Sequence, residues 1–364
     1  MNISIGINPL LEVLIMLDRL QRGCDVGHTN EFVGKKYGTD VAEKINELSK
    51  PLIEIQSKVI EGLDIQSEKM NYLFGRTGVL SPKNPIGCSP ASMILANEIF
   101  EGSTSIIDVE AKLKELSIEE KLKHIMATIC MESTNETTSN AAGLQDFLEY
   151  VKELSVSSEQ KWRIIDTLMN FDCYAMELCS IFKNAEKILM DSVDLANDLI
   201  RESTSWLEKA DDMKEKVEQA VHFITDDSDE NVVCPCLFAP ECAITIRYNG
   251  DGKKRSMIYI GVMMSIMQSM PTSEFDSLEL VEKTKVLADR SRLDILAYIK
   301  NKPAYGQEIA DEFNLYSTTI SHHMSRLVGS GFVFSSSKGT KSIYSLDRES
   351  IGEFLDKLRH FLLD

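Results

Sequence analysis

The sequence predicts a mainly α protein: a large helical N-terminal domain with a small β-hairpin element, followed by a smaller C-terminal domain of helices closed by a second hairpin. Three observations carry this. Glycine and proline are absent between Gly143 and Pro235, where 19 Gly and 9 Pro in 364 residues would place about seven. After the acidic run Asp226 to Glu230 the pattern changes to short β-rich pieces around Asn249-Gly250-Asp251-Gly252. From Ser273 onward helical periodicity resumes in a stretch with its own charge balance.

Composition bounds what such a chain does. With 43% hydrophobic and 26% charged residues it reads as a globular protein of two or three domains. A formal net charge of -18 argues against a protein that coats nucleic acid or anionic membrane. No apolar run approaches the roughly 18 to 20 residues that span a bilayer, and Glu12 interrupts the apolar segment Leu10 to Leu17. That segment also lacks a basic leader and a small-residue cleavage site, so no signal peptide is expected. Eight cysteines are too sparse for a disulfide scaffold, which points to a reducing cytoplasm.

The N-terminal domain, 1–272, opens with Asn8 as N-cap and Pro9 in the first turn of a helix to Leu20. Ser117 with Glu120 starts another, running to about Met131, and Ser157 with Gln160 forms a capping box for a third. Beyond it Trp162, Ile165, Met169, Leu178, Phe182, Ala185, Leu189, Ala196 and Leu199 recur at steps near three and four, giving one apolar face on a long helix. The β-rich piece, 232–260, holds strands at Val232 to Phe238, Ala243 to Tyr248 and Lys254 to Ile260. The last two flank the glycine-rich turn, whose backbone needs positive φ. A Met-rich segment, Met257 to Met270, reads as core or an inter-domain hinge.

The C-terminal domain, 273–364, has helices at Leu278 to Leu287, Ser291 to Asn301, Gly306 to Phe313 and Ser317 to Val328. Asn314 sits between the last two, where crossing helices need a left-handed residue. In the final helix of the four, Ile320, Met324 and Leu327 face inward and Thr318, Ser321, His322 and Ser325 face outward at 100° per residue. A small, hydrogen-bonding outer face suits a major groove, whereas a solvated helix carries Glu and Lys. Gly329 and Gly331 end it. Phe332 to Ser335 and Ser342 to Leu346 then form a hairpin with Ser337-Lys338-Gly339-Thr340-Lys341 at its tip, which completes a helix-turn-helix with a basic wing.

Charge is apportioned to match. Residues 275–364 hold 13 acidic and 12 basic side chains, so nearly all the net negative charge belongs to residues 1–274. From Phe313 to Leu346 there is no Asp or Glu, while Arg326, Lys338, Lys341 and two histidines are present. Lys69 to Asn97 is also free of acid, so the signal lies in its coincidence with the helix-turn-helix pattern and the basic hairpin.

The segments Ala288-Asp289-Arg290-Ser291-Arg292-Leu293-Asp294-Ile295-Leu296, Gln307-Glu308-Ile309-Ala310, Ser317 through Leu327 and Gly331-Phe332-Val333, in this order, resemble an ArsR-family winged helix-turn-helix regulator over about a quarter of the chain. The opening Ser4 to Leu17 is similar, more weakly, to larger bacterial regulators of this type. The resemblance implies a recognition helix at Ser317 to Arg326, with Ser317, Thr318, Thr319, Ser321, His322 and Arg326 facing DNA and Lys338 and Lys341 on the wing. It gives His323 a packing role. A surface arginine paired to a carboxylate is the other reading of Arg326.

The family is dimeric. An apolar stripe on the last helix, with Ile351, Phe354, Leu358 and Phe361 joined by Leu355 and Leu362, and a second stripe with Leu278 and Val281 in the first, are expected to form a two-fold interface. Packing on its own domain is the competing reading of that stripe. The expected partners are double-stranded DNA, a second copy and an unidentified small-molecule effector, without a membrane or a cofactor.

Metal sensing fits less well. Family sensors often carry Cys-x-Cys in the helix before the recognition helix, yet Glu308 to Asn314 holds no cysteine. A second family site keeps only half its pattern in Asp347, Glu349, His360 and Leu363. Cys234, Cys236 and Cys242 remain as a thiol cluster for a soft metal or a redox switch, against which stands packing as small apolar side chains. No phosphate loop, dinucleotide motif, zinc-protease motif or nucleophile elbow is present, so catalysis is not expected. Three functions are carried forward: a DNA-binding repressor, an interaction module that uses the winged helix for protein contact, and a thiol or metal sensor.

Overall fold

The computed structural model describes residues 2–4, 6–28, 39–75, 89–129, 143–154, 156–208, 214, 216–218, 223–224, 229–250, 253–269, 277–315, 317–338 and 341–363. Its architecture is mainly α, with two small four-stranded sheets.

Asn8 caps helix α1 (Pro9–Gln21): its side chain accepts the N–H of Leu11 at 3.0 Å, and Pro9 needs no partner in the first turn. Every residue from Leu10 to Arg19 is buried, so α1 is the axis of the large core rather than an amphipathic surface helix. Each of its fully buried leucines and isoleucines contributes roughly 1.5–3 kcal/mol of transfer free energy. Around it run α2 (Thr39–Glu61), α3 (Glu68–Leu73), α4 (Pro90–Phe100), α5 (Ile106–Glu115), α6 (Ile118–Ile129), α7 (Leu144–Glu153), α8 (Ser158–Met169), α9 (Phe171–Ser192) and, after a 3₁₀ turn at Val193–Ala196, α10 (Asn197–Glu208).

Both serine capping boxes form. Ser117 and Glu120 exchange bonds of 2.7 and 3.3 Å, and Ser157 and Gln160 exchange bonds of 2.9 and 3.2 Å. The end of the helix after Ser117, expected near Met131, lies outside the described residues.

The single long helix read from Trp162 to Leu199 is corrected. It breaks at Asn170, which ends α8 and starts α9, and the break shifts the helical phase. Leu178, Phe182, Ala185 and Leu189 are therefore buried, while Trp162 and Met169 are exposed.

After α10 come β2 (Phe223–Ile224), β3 (Glu230–Cys236), β4 (Ala243–Gly250) and β5 (Lys253–Gly261). β4 and β5 form the antiparallel hairpin, with Ala243 opposite Ile260 and Gly250 opposite Lys253. β3 pairs parallel with β5, and β1 (Asn2–Ile3) pairs parallel with β3, giving the order β1-β3-β5-β4. Val233, Ile258 and Ile260 pack with Trp206 and Leu207 of α10, while Cys234, Cys236 and Tyr259 pack in the α1 core. Burial on both faces explains why β3 reads as a continuous apolar run. Gly261 is required where it stands, because a Cβ there would lie 2.3 Å from the Pro240 carbonyl oxygen. The short helix α11 (Met264–Ser269) follows.

The C-terminal part comprises α12 (Ser277–Leu287), α13 (Arg290–Ile299), β6 (Ala304–Tyr305), α14 (Gly306–Phe313), α15 (Ser317–Gly329), β7 (Val333–Lys338), β8 (Lys341–Leu346) and α16 (Arg348–Leu363). Its core is separate: Ile295, Ile299, Ile309, Ile320, Met324, Leu327, Phe332 and Phe354 are all buried together. Its sheet runs β2-β7-β8-β6, so a strand from before β3 joins it. Among the described residues no helix is long and apolar enough to cross a membrane.

Candidate nucleic-acid interface

Two helices and a hairpin set the site. α14 ends at Asn314, the one described non-glycine residue with positive φ (50°), whose N–H donates back to Ala310 and Asp311 carbonyls. That left-handed residue turns the chain into α15. Ile320, Met324 and Leu327 seat α15 on the core, at the 3- and 4-residue spacing of one helical face.

Opposite this seam His322, Ser325 and Arg326 are exposed. Arg326 Nε donates to His322 Nε2 at 3.4 Å, which fixes the two side chains beside each other on the outer face. Thr319 is half-buried on the flank. Ser317 and Thr318 lie in the first turn of α15, and their side chains fall outside the described set.

Ser321 does not belong with the outward residues. It is 4% exposed, because it lies a quarter-turn from Ile320, close enough to the buried seam for the domain to close over it.

His323 packs inward with its side chain 12% exposed, and its Nδ1 lies 3.8 Å from Oδ1 of Asp289, too far for a hydrogen bond. Burial pulls the His323 imidazole below its usual pKa, against the opposing pull of Asp289. Asp289 is the N-cap of α13, accepting the Arg292 N–H at 3.0 Å, and that bond lowers its carboxyl pKa. Arg292 in turn donates from Nε to the Val286 carbonyl at 2.5 Å and from Nη2 to Lys285 at 3.2 Å, closing the end of α12. Asp289 and Arg292 thus lie between the back of α15 and the end of α12, with no hydrogen bond from the described residues reaching His323 Nδ1.

The wing pairs Val333 with Leu346 and Lys338 with Lys341, which places both lysines at the closing pair of the hairpin. Their side chains, and residues 339–340, lie outside the described set. With no carboxylate from Phe313 to Leu346, the helix and wing present only neutral and cationic groups.

The expected dimer residues divide. Val281 (47%) and Phe361 (49%) are exposed, together with Leu355, Leu362 and Leu363. Ile351 and Leu358 are half-buried against their own core, and the Leu278 side chain is outside the described set. Phe354 is corrected: it is 2% exposed and meets Phe332 edge-on, with ring centroids 5.4 Å apart, so it belongs to its own domain's core. Exposed Leu293 and Leu363 were not expected; the helical phase of α13 and α16 carries the only sequence signal for them.

Cys234 and Cys236 are buried and Cys242 is half-buried, all as free thiols. Burial pushes Cys234 up to about 11, Cys242 up to about 12 and Cys236 well above the ordinary thiol range. Cys236 Sγ lies 3.8 Å from Glu12 Oε2, a neighbour that opposes a thiolate. Among the described residues no group of three or more His, Cys, Asp or Glu side chains is arranged to hold a metal ion.

Residues 289–335 match the family model described as bacterial regulatory protein, arsR family. An arsenical resistance operon repressor from Staphylococcus xylosus is 34% identical over 84 residues, which cover 77% of that protein and 23% of this chain. A protein of the same description from Staphylococcus aureus is 30% identical over 80 residues, covering 77% of it and 22% of this chain.

Proposed function

Since the chain belongs to the ArsR family of bacterial regulatory proteins, we propose that it is a sequence-specific transcriptional repressor that binds duplex DNA as a two-fold dimer under the control of its N-terminal unit. The observation that carries this reading is the exposed face of α15, where His322, Ser325 and Arg326 stand clear of the core in a 34-residue stretch without a carboxylate.

The chemistry suits a major groove. Arg326 offers a planar fork for a guanine edge, and His322 and Ser325 offer single donors or acceptors. Ser317, Thr318 and Thr319 at the helix start are assigned to bases and phosphates, and Lys338 and Lys341 to the backbone beside the minor groove. Ser321, being buried, is left out.

The net charge of -18 does not oppose this. At physiological salt the Debye length is about 8 Å, so carboxylates a domain width away are largely screened and local charge decides. The acidic unit then limits non-specific binding, which is almost entirely electrostatic.

Val281, Leu355, Phe361 and Leu362 form an exposed apolar surface on α12 and α16 that supports a two-fold interface. Such a dimer presents two recognition helices to half-sites about one helical turn apart. The effector of the N-terminal unit is an unidentified small molecule or partner; an α14 without cysteine, and burial that holds the Cys234, Cys236 and Cys242 thiols protonated, weigh against a thiol or metal signal. The reading places the protein's work in the cytoplasm.

The test is a mobility shift with the DNA upstream of the protein's own coding sequence against a scrambled duplex. The parent is expected to retard the first selectively, and His322→Ala and Lys338→Ala/Lys341→Ala to weaken that band. Parent and variants binding both duplexes alike would sink the proposal and favour a protein-contact role for the winged helix.

A further inference from the structure

The outer edge of the wing is not open. Phe223 and Ile224 form β2 and pair parallel with Ser335 and Ser336 of β7, more than a hundred positions later in the sequence. Without them β7 would present a row of unpaired N–H and C=O groups, the ordinary liability of an edge strand. β2 also sets a direction: it runs alongside β7 toward Lys338, which lies two residues beyond Ser336.

The same segment is tied to the N-terminal sheet. Residues 225–228 alone separate Ile224 from Asp229. A fully extended chain spans at most about 18 Å between those two Cα atoms. Asp229 is fastened to the β4–β5 hairpin: its N–H donates to the Lys254 carbonyl at 2.9 Å and its carboxylate accepts the Lys254 N–H at 2.8 Å. At the far end of β3, Glu12 of α1 accepts the N–H groups of Leu237 at 2.8 Å and Phe238 at 2.9 Å. A short line, hydrogen-bonded at Glu12 and covalent from Phe238 back to Ile224, therefore runs from the buried axis of the N-terminal core, through β3, to the edge of the wing.

We propose that Phe223 and Ile224 are positioning residues for DNA binding: as an added strand they hold β7, and with it Lys338 and Lys341, in the orientation that meets the phosphate backbone, and so let the N-terminal unit set the placement of the wing. The inference rests on the reading of the chain as a DNA-binding regulator. It assigns work to a linker segment through its pairing with β7 rather than through a DNA contact. Two ladder residues are a small contact, which suits an element that must engage and release.

The experiment uses the full chain and the upstream duplex, with affinity read across a salt series. Ile224→Pro puts into β2 a residue that cannot donate to a ladder, and is expected to lower affinity about tenfold and to flatten the slope of log K against log salt by about two, one for each wing lysine. Lys338→Ala/Lys341→Ala should give the same change, and the combined variant no more than either alone. Ile224→Val should match the parent. Phe223→Gly/Ile224→Gly is a milder break with the same expected direction, should the proline variant fold poorly. In a separate arm, Phe223→Cys/Ser335→Cys should form a disulfide on mild oxidation, because ladder partners have Cα atoms within bonding range, and the locked protein should keep parental affinity.

Parental affinity and slope in the glycine and proline variants, or absence of the cross-link in a protein that binds DNA, would overturn the proposal alone. Cross-linking of the Phe223→Cys/Ser335→Cys protein together with a parent that binds no DNA would instead bring down the functional reading beneath it.

Discussion

Nδ1 of His323, on the inner side of α15, lies 3.8 Å from Oδ1 of Asp289, the residue that caps α13. The pair sets α15 beside α13, the helix that follows α12, and Arg292 donates onward to the carbonyls of Val286 and Lys285. Asp289 therefore stands between the inner side of α15 and the end of α12 that Arg292 closes.

Removing that cap should be measurable. Asp289→Ala deletes the acceptor of the Arg292 N–H and is expected to cost about 1 kcal/mol. Asp289→Asn, which still caps, should cost less. Thermal unfolding of the two variants compares them, and equal losses would show that the charge beside His323, not the cap, is what matters.

His323 predicts a pH dependence with a definite sign. Its folded pKa is lowered by burial, so the unfolded chain binds the proton more readily. Stability from this residue is full at neutral pH and declines as pH falls below about 6.5, the ordinary imidazole value, until the folded pKa is passed. His323→Leu should remove that decline in a denaturant series run from about pH 7.5 down to about pH 5, across the imidazole range. An unchanged profile would assign the titration to another group.

Glu12 predicts the opposite slope. Burial holds its carboxyl up at about 7 despite hydrogen bonds from Leu237 and Phe238. The folded state therefore keeps the proton longer than the unfolded chain. Stability should fall as pH rises from the ordinary carboxyl range through about 7, by an amount on the order of 3 kcal/mol. Glu12→Gln should flatten that part of the profile in urea unfolding followed by tryptophan fluorescence; retention of the full slope would contradict the burial account.

Two phenylalanines on α16 separate core from interface. Phe354→Ala should destabilise the C-terminal core by about 3–5 kcal/mol, since it opens a cavity beside Phe332. Phe361→Glu/Leu355→Glu, both exposed, should leave the C-terminal core folded and convert the proposed dimer to a monomer in light scattering. A parental mass in that variant would remove α16 from the interface.

Much of the architecture is written locally. Asn314 and the caps at Asn8, Ser117 and Ser157 each fix their own neighbourhood through hydrogen bonds within a few residues, and such signals are readable without a fold. The pairing of Phe223 and Ile224 with β7, and of Asn2 and Ile3 with β3, is not readable this way, because a two-residue strand has no periodicity and its partner is remote. The break at Asn170 was hidden for a different reason: it replaces no helix-former with a breaker, and only the changed phase of the buried residues reveals it. At the site, helical phase separates Ile320 from His322 cleanly but misjudges Ser321 and Phe354, both on flanks where the depth of neighbouring packing decides exposure.

The measurement that bears most directly on the whole account is fluorescence anisotropy of the upstream duplex and a scrambled duplex across a salt series, for the parent, His322→Ala/Arg326→Ala and Lys338→Ala/Lys341→Ala. The α15 variant should lose about 10- to 100-fold in affinity for the upstream duplex alone, at an unchanged slope for the scrambled one. The wing variant should weaken binding to both and lower the salt slope by about two. Indistinguishable curves for all three proteins, or an affinity without salt dependence, would contradict a DNA-binding role for the helix and wing.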